Sequence, residues 1–335
     1  MKTKKLLVAM VLILLTVGMV FAAGQTDKGA AQKQFSLRLG HDQSSGHPFD
    51  LGAKRFAENV EKATDGNVKI TIYPSSQLGD SSEQIEGLKM GTLDMAVAAF
   101  SHVASFVPEL DLFGAPFLFV DEEHFTNVFT GEVGDLLDKA SQDRYGIHLL
   151  STFTSGYRLL FNNKRLVEDS EDLAGMKIRV MGGEANALTW SVFGALPTPM
   201  PYSEVYSALQ AGVIDGAENE PVSVLMNRFY ENAPYFAMTR HLVTPLGLFI
   251  SGATYNKLPA EYQKIIKEEA VKAAAWEMEY ITAENMKAIA EMEKMGVKVS
   301  YPDVSVFQAE GRKIQDQVAM KLKLTDLLEK VRAAE

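Results

Sequence analysis

The chain of 335 residues carries 43 acidic and 33 basic side chains, a formal charge of −10, and contains no cysteine. Disulfides, thiol catalysis and cysteine-based zinc sites are therefore excluded, and the acid excess argues against nucleic acid as a partner. An apolar fraction of 47% over this length supports large cores and favours two lobes over one.

At the N-terminus Lys2, Lys4 and Lys5 precede an uncharged apolar stretch over 6–21 and the small residues Ala22, Ala23 and Gly24. These are the parts of a secretory signal peptide, expected over residues 1–24, and the apolar core falls short of the roughly 20 residues a membrane span needs. Residues 25–34 read as a flexible segment. No cysteine follows the apolar stretch, so a free exported protein in the periplasm is expected rather than a lipid-anchored one. Loss of the three lysines takes the formal charge from −10 to −13. Such a chain still binds anions, because salt confines repulsion between distant charges to about 8 Å whereas a contacting arginine acts at about 3 Å.

Phe35, Leu37 and Leu39 alternate as a strand, followed by a helix with Phe49, Ala53, Phe56, Ala57 and Val60 on one face, stopped by Asp65 and Gly66. Val68, Ile70 and Ile72 alternate as a second strand, 82–90 reads as a helix and 94–98 as a third strand, a βαβαβ start. Residues 106–119, rich in proline, glycine and aromatic side chains, read as a packed connection. Residues 122–140 read as one amphipathic helix through Phe125, Val128, Phe129, Leu136 and Leu137. Pro259 opens a stretch free of glycine and proline that runs to Met295 and ends at Gly296, one long helix. Its apolar spacing holds no heptad, so it packs on the lobes rather than forming a coiled coil.

The run 175–221 reads as strand 177–180, helix 184–193, helix 203–210 and strand 213–217. If the two strands are parallel in one open sheet, Arg179 and Asn219 stand at or just past carboxyl ends, where α/β folds gather their ligands. A guanidinium fork grips both oxygens of a carboxylate and a side-chain amide adds a further donor, so the pair suits acid binding. Pattern alone leaves the alternative open, since an arginine at an alternating strand position is commonly a solvated edge residue. The spacing Ser-Glu-x4-Leu-x2-Gly-x2-Asp occurs twice, from Ser82 to Asp94 and from Ser203 to Asp215. Each copy reads as a capped helix, a core-facing leucine, a left-handed glycine and entry into a strand, consistent with two similar lobes, although such junctions are common in α/β proteins.

No Gly-x-Ser-x-Gly elbow, His-Glu-x-x-His, Walker loop or Gly-x-Gly-x-x-Gly occurs, and no cofactor is indicated. His41, Asp42, His47 and Asp50 form a local cluster of zinc-ligand types, but His47 precedes Pro48 at a helix start and His41 follows a strand, so cleft lining or capping accounts for both more simply. His102, His124, His148 and His241 are scattered.

Ile178-Arg179-Val180, the Pro-Thr-Pro-Met-Pro-Tyr-Ser-Glu-Val-Tyr run over 197–206 and Asp215-Gly216-Ala217-Glu218-Asn219 follow in this order after Leu39-Gly40-His41 and Tyr-Pro-Ser-Ser-Gln-Leu-Gly over 73–79. In these motifs the chain resembles the DctP-type substrate-binding subunits of tripartite ATP-independent periplasmic (TRAP) transporters over nearly its whole mature length. The resemblance implies an α/β, two-lobed periplasmic binding protein fold with the ligand cleft between lobes and a long helix spanning both. The expected division is lobe I over 35–156, lobe II over 157–245 and a return to lobe I over 246–335. It further implies Arg179 as carboxylate clamp, Asn219 as its amide partner, Tyr202 as the cleft aromatic and Arg158 as a second arginine near the ligand. Asp42 and Ser81 stand where the sialic-acid-binding branch has polar ligand contacts, whereas Ala99 and Gly182 depart from that branch and disfavour sialic acid. His41 and His47 complete the expected ligand-binding set.

The expected function is that of a monomeric, non-enzymatic protein that traps a small organic acid and hands it to a membrane permease driven by an ion gradient. One clamp among hydroxyl-matching groups favours a sugar acid over a C4-dicarboxylate, with Arg158 as the counterargument. A binding protein for an ATP-driven importer and an exported metallo-hydrolase are the alternatives.

Overall fold

Period-two burial of Leu37 and Leu39 fixes the first strand, β1 (Phe35–Gly40), in the computed structural model, which describes residues 34–335. The expected signal peptide and most of the segment after it lie outside the described residues. Phe49, Ala53, Phe56, Ala57 and Val60 are all buried on the helix Pro48–Ala63, whose N-cap is His47 and whose exit passes through left-handed Asp65 and Gly66. The strand β2 (Val68–Tyr73) follows, then the helix Ser81–Met90, opened by a reciprocal capping box between Asp80 and Glu83, and β3 (Met95–Ala99).

The single helix expected over 122–140 is two, Glu122–Thr130 and Glu132–Tyr145. Gly131 adopts an extended conformation between them, and a Cβ there would lie 2.7 Å from the Asn127 carbonyl oxygen. The chain can turn so tightly only without a side chain at that point.

The remaining strands are β4 (Ile147–Asn162), β5 (Lys177–Val180), β6 (Leu196–Pro199), β7 (Gly216–Asn219), β8 (Tyr235–Ser251) and β9 (Lys298–Ser300). The sheet order is β2-β1-β3-β8-β4-β7-β5-β6, with β9 beside β8. The long antiparallel strands β4 and β8 join two sections: one end of β8 pairs with β3, while the opposite end of β4 pairs with β7. Between them the register shifts at Thr154/Tyr157 and at Arg158/Leu160, where residues 238–241 of β8 bulge out.

The repeated motif has a structural counterpart. β1 and β3 are parallel, as are β5 and β7. Asp94 accepts the backbone N–H of Arg38 at 3.0 Å, and Asp215 accepts that of Lys177 at 2.9 Å. Leu88 and Leu209 are buried, and Gly91 and Gly212 have φ of 70° and 69°. Strands expected over 94–98 and 213–217 begin later, at Met95 and Gly216, and in both copies the aspartate ties the strand start to its parallel neighbour.

The long helix runs over Ala260–Lys294, 35 residues or about 52 Å, and packs on β4, on Pro48–Ala63 of one section and on Pro221–Met226 of the other. Buried polar groups fix it there. Asn285 accepts the Val222 N–H at 3.1 Å and donates to the Ser155 carbonyl at 3.2 Å, and Glu277 accepts the Thr154 N–H at 3.1 Å.

Candidate functional site

Arg179 is the third residue of β5 and only 2% exposed, so it is not a solvated edge residue. Its Nε and Nη2 both donate to the carbonyl of Met200, at 3.0 and 2.8 Å. Met200 lies between Pro199 and Pro201, which restrict the backbone and hold that carbonyl in place. One edge of the guanidinium is thereby fixed, and Nη1 hydrogen-bonds to no described residue. Burial presses the Arg179 pKa down to about 10, which leaves it charged at neutral pH.

Asn219 ends β7, on the strand next to Arg179, because β5 and β7 are adjacent and parallel. Its Nδ2 lies 3.5 Å from the Tyr202 hydroxyl, which also accepts from Asn227 at 2.9 Å. The Tyr202 ring centroid is 6.0 Å from the Arg179 guanidinium carbon. Burial, followed by the charge of Glu220, raises the Tyr202 pKa strongly and keeps the phenol neutral.

These groups line two neighbouring cavities, an inner and an outer chamber, that share lining side chains. The inner one, about 30 Å³, contains Arg179, Asn219, Arg158 and Glu220 together with Ser155 and Ala99. The outer one, about 260 Å³, is lined by Asp80, Ser81, Ser76, Gly182 and the 199–203 segment. Asp42, His102 and Tyr202 face both. Ser81 donates to Asp42 Oδ2 at 3.1 Å, holding that carboxylate with its other oxygen free to accept a hydroxyl.

Arg158 lines the inner chamber but is committed to protein carboxylates. Glu218 takes its Nε and Nη2, the latter at 2.9 Å, while Glu220 takes Nη1 at 3.2 Å. Burial raises the Glu218 pKa, but Arg158 and His241 outweigh it and hold the carboxyl down at about 2. Glu220 is likewise lowered, since His47 and Arg158 outweigh its burial.

His41 and His47 line neither chamber. His41 packs its Nε2 3.4 Å from Asp50, which is held by Lys54 at 2.6 Å and the Gly46 N–H at 2.7 Å. His47 caps its helix by accepting the Phe49 N–H at Nδ1, so Nε2 carries the proton and donates to Ser223 Oγ at 3.0 Å. Ser223 in turn donates to Glu220. Among the described residues no three or more of His, Asp and Glu are placed to hold a metal ion, and His41, Asp42, His47 and Asp50 do not converge.

Several residues of the site are not evident from motif reading: Glu218 and Glu220, which flank Asn219 at alternate positions and so share the opposite face; His102; and the Met200 carbonyl. The acidic pair beside Asn219 is the one signal available in sequence.

The chain matches the model of bacterial extracellular solute-binding protein, family 7 (DctP), over residues 39–321. It is 33% identical over 279 residues, 83% of this chain and 84% of the relative, to the 2,3-diketo-L-gulonate-binding periplasmic protein YiaO of Escherichia coli (strain K12). It superposes with a TM-score of 0.85 at 30% identity on a TRAP periplasmic solute-binding protein of Chromohalobacter salexigens solved with D-glucuronate, covering 89% of this chain and all of that one. The sugar acid binding protein DctPAm of Advenella mimigardefordensis, solved with galactonate, superposes with a TM-score of 0.84 at 25% identity over 90% of this chain and 99% of that one. Fold and sequence thus agree with a two-lobed binding protein rather than an enzyme, and the chain belongs to the DctP family of bacterial extracellular solute-binding proteins, the substrate-binding subunits of TRAP transporters.

Proposed function

We propose that the protein captures a hydroxylated monocarboxylate, a sugar acid in first preference, with Arg179 and Asn219 clamping the carboxylate, and delivers it to the membrane permease of a TRAP transporter. The observation that carries this reading is charge pairing: Arg179 is the cavity-lining cation with no carboxylate partner, whereas Arg158 is already held by Glu218 and Glu220. One unmatched cation calls for one anion. The outer chamber supplies Asp42, Asp80, Ser81 and Tyr202, which suit hydroxyls and would repel a second carboxylate. A C4-dicarboxylate therefore lacks a second cation to hold it. The ligands of the related structures, D-glucuronate and galactonate, have this chemistry, one carboxylate on a polyhydroxy body.

Export through residues 1–24, a lobe I of 35–156 with 246–335, a lobe II of 157–245 and a monomeric state belong to the same reading. The crossings of β4 and β8 support that division. The test is a side-by-side calorimetric titration of glucuronate, galacturonate, gluconate, succinate and malate. Binding of at least one sugar acid without succinate or malate is expected. Tight succinate or malate binding with no sugar-acid binding would overturn the reading.

A further inference from the structure

Six histidines occur in the chain, and five have a protein partner close at hand. His41 faces Asp50, His47 bonds Ser223, His124 bonds the Val331 carbonyl at 2.7 Å, His148 lies 3.7 Å from Asp138, and His241 bonds Thr239 at 2.8 Å. His102 differs: its ring makes no hydrogen bond or ion pair with any described residue. It sits on the short helix Phe100–Val103 directly after β3 and is one of three side chains lining both chambers. β3 occupies in its section the place β7 occupies in the other, each between a parallel neighbour and one long antiparallel strand. His102 thus follows one strand end while Asn219 ends its counterpart.

We propose that His102 is a specificity-determining residue of this site, reading hydroxyl groups on the part of the ligand that extends from the clamp into the outer chamber. This rests on the sugar-acid reading above. Burial, joined by the charge of Arg179, outweighs Asp42 and Asp80 and lowers the His102 pKa, so the ring is neutral in use. A neutral imidazole presents one N–H donor and one bare nitrogen, the complement of two hydroxyls or of a single hydroxyl used both ways. Asp42 and Asp80, the charged groups of the outer chamber, only accept. His102 therefore supplies a donor that this wall otherwise takes from neutral hydroxyls. A carboxylate that lacks hydroxyls on its distal carbons covers the ring without offering either nitrogen a partner, a basis for rejection available to a polar site.

The experiment compares wild type with His102→Phe, His102→Ala and His102→Gln, titrated with galacturonate, galactonate and the four-carbon erythronate. Phe and Ala should weaken the six-carbon ligands by roughly 10- to 100-fold and erythronate by less than about threefold, because its shorter chain stays beside the clamp. Gln keeps one donor and one acceptor and should recover the six-carbon ligands to within about fivefold of wild type. The Ala variant keeps the test intact if the bulkier Phe disturbs folding. Equal losses for all three ligands, or none beyond twofold, would overturn the assignment while leaving the clamp reading in place. A wild type that binds none of the three would instead remove the sugar-acid reading itself.

Discussion

Glu218 closes both of its carboxylate oxygens on the guanidinium of Arg158 and adds its own backbone carbonyl to Arg158 Nη2 at 2.6 Å. Both side chains are buried, 5% and 3% exposed, so neither charge has water to fall back on. Such a pair is costly to break singly, because the survivor is left as an uncompensated buried charge worth about 3 to 5 kcal/mol. The Glu218 pKa of about 2 lies below the ordinary 4.5, so its contribution is present above about pH 4.5 and is lost as pH falls toward 2. The shift corresponds to roughly 3 kcal/mol. Glu218→Gln should lower the urea midpoint at pH 7 and lose less stability than wild type between pH 5 and pH 3. A variant as stable as wild type at pH 7 would count against the pairing.

Removal of the clamp should be felt in binding rather than in folding. Arg179→Ala is expected to weaken sugar acids by roughly a hundredfold to several thousandfold, the equivalent of about 3 to 5 kcal/mol for an unpaired buried carboxylate. Arg179→Lys should also bind poorly, since an ammonium cannot hold the Met200 carbonyl and a carboxylate on two edges at once. Calorimetry giving a change below tenfold for the alanine variant would remove Arg179 from the clamp.

The strand-end positions of Arg179 and Asn219 were legible in the sequence from a strand-helix-helix-strand reading and the alternation over 177–180, whereas their pairing as a clamp came from the family resemblance. The long helix was legible through Pro259 and Gly296. The neutralisation of Arg158 was not, because it depends on the pairing of β4 with β7, which aligns residues 60 positions apart. His102 escaped for the same reason: its surroundings, Asp42, Asp80 and Arg179, come from three distant segments. β6 escaped because Pro197 and Pro199 disguise it, a sequence tolerated only at the edge position it occupies. The break at Gly131 was hidden by apolar periodicity continuing through both short helices.

The hydrogen bonds that join Ser223 to His47 and to the accepting Gln43 Oε1, the latter 3.3 Å, tie Pro48–Ala63 and the loop before it to Pro221–Met226 across the two sections. Contacts of this kind favour the closed arrangement whatever ligand is inside, so their loss acts as a common tax on affinity. His47→Ala and Ser223→Ala are each expected to weaken galacturonate, galactonate and gluconate by a shared factor of roughly 3 to 10, with the double variant losing less than the product. A selective loss for one ligand would place His47 in direct contact with it.

Two sections joined mainly by β4, β8 and one helix should close on ligand by rotating about the register shifts at Thr154/Tyr157 and Arg158/Leu160. Solution scattering should give a smaller radius of gyration with saturating sugar acid than without it. Superimposable profiles would argue for a pocket formed before the ligand arrives.

Glu277 lies wholly buried on the long helix at this same crossing, with Oε2 on the Thr154 N–H and Oε1 without a hydrogen-bond partner among the described residues. A Cβ on Gly52 would come 3.0 Å from its Cγ, so the acid fills a space kept open for it. Burial, with a further push from the like charge of Glu220, raises its pKa well above 4.5. The native protein therefore keeps a proton that the unfolded chain gives up, and stability falls as pH rises from about 4.5 toward the native value, by up to about 1.4 kcal/mol per pH unit. Glutamine at this position cannot ionise and keeps an oxygen for the Thr154 N–H. Glu277→Gln should match wild type closely at pH 4 and pull ahead in urea midpoint as the pH is raised to 8. Parallel stability curves over that range would mean that no proton is held at Glu277.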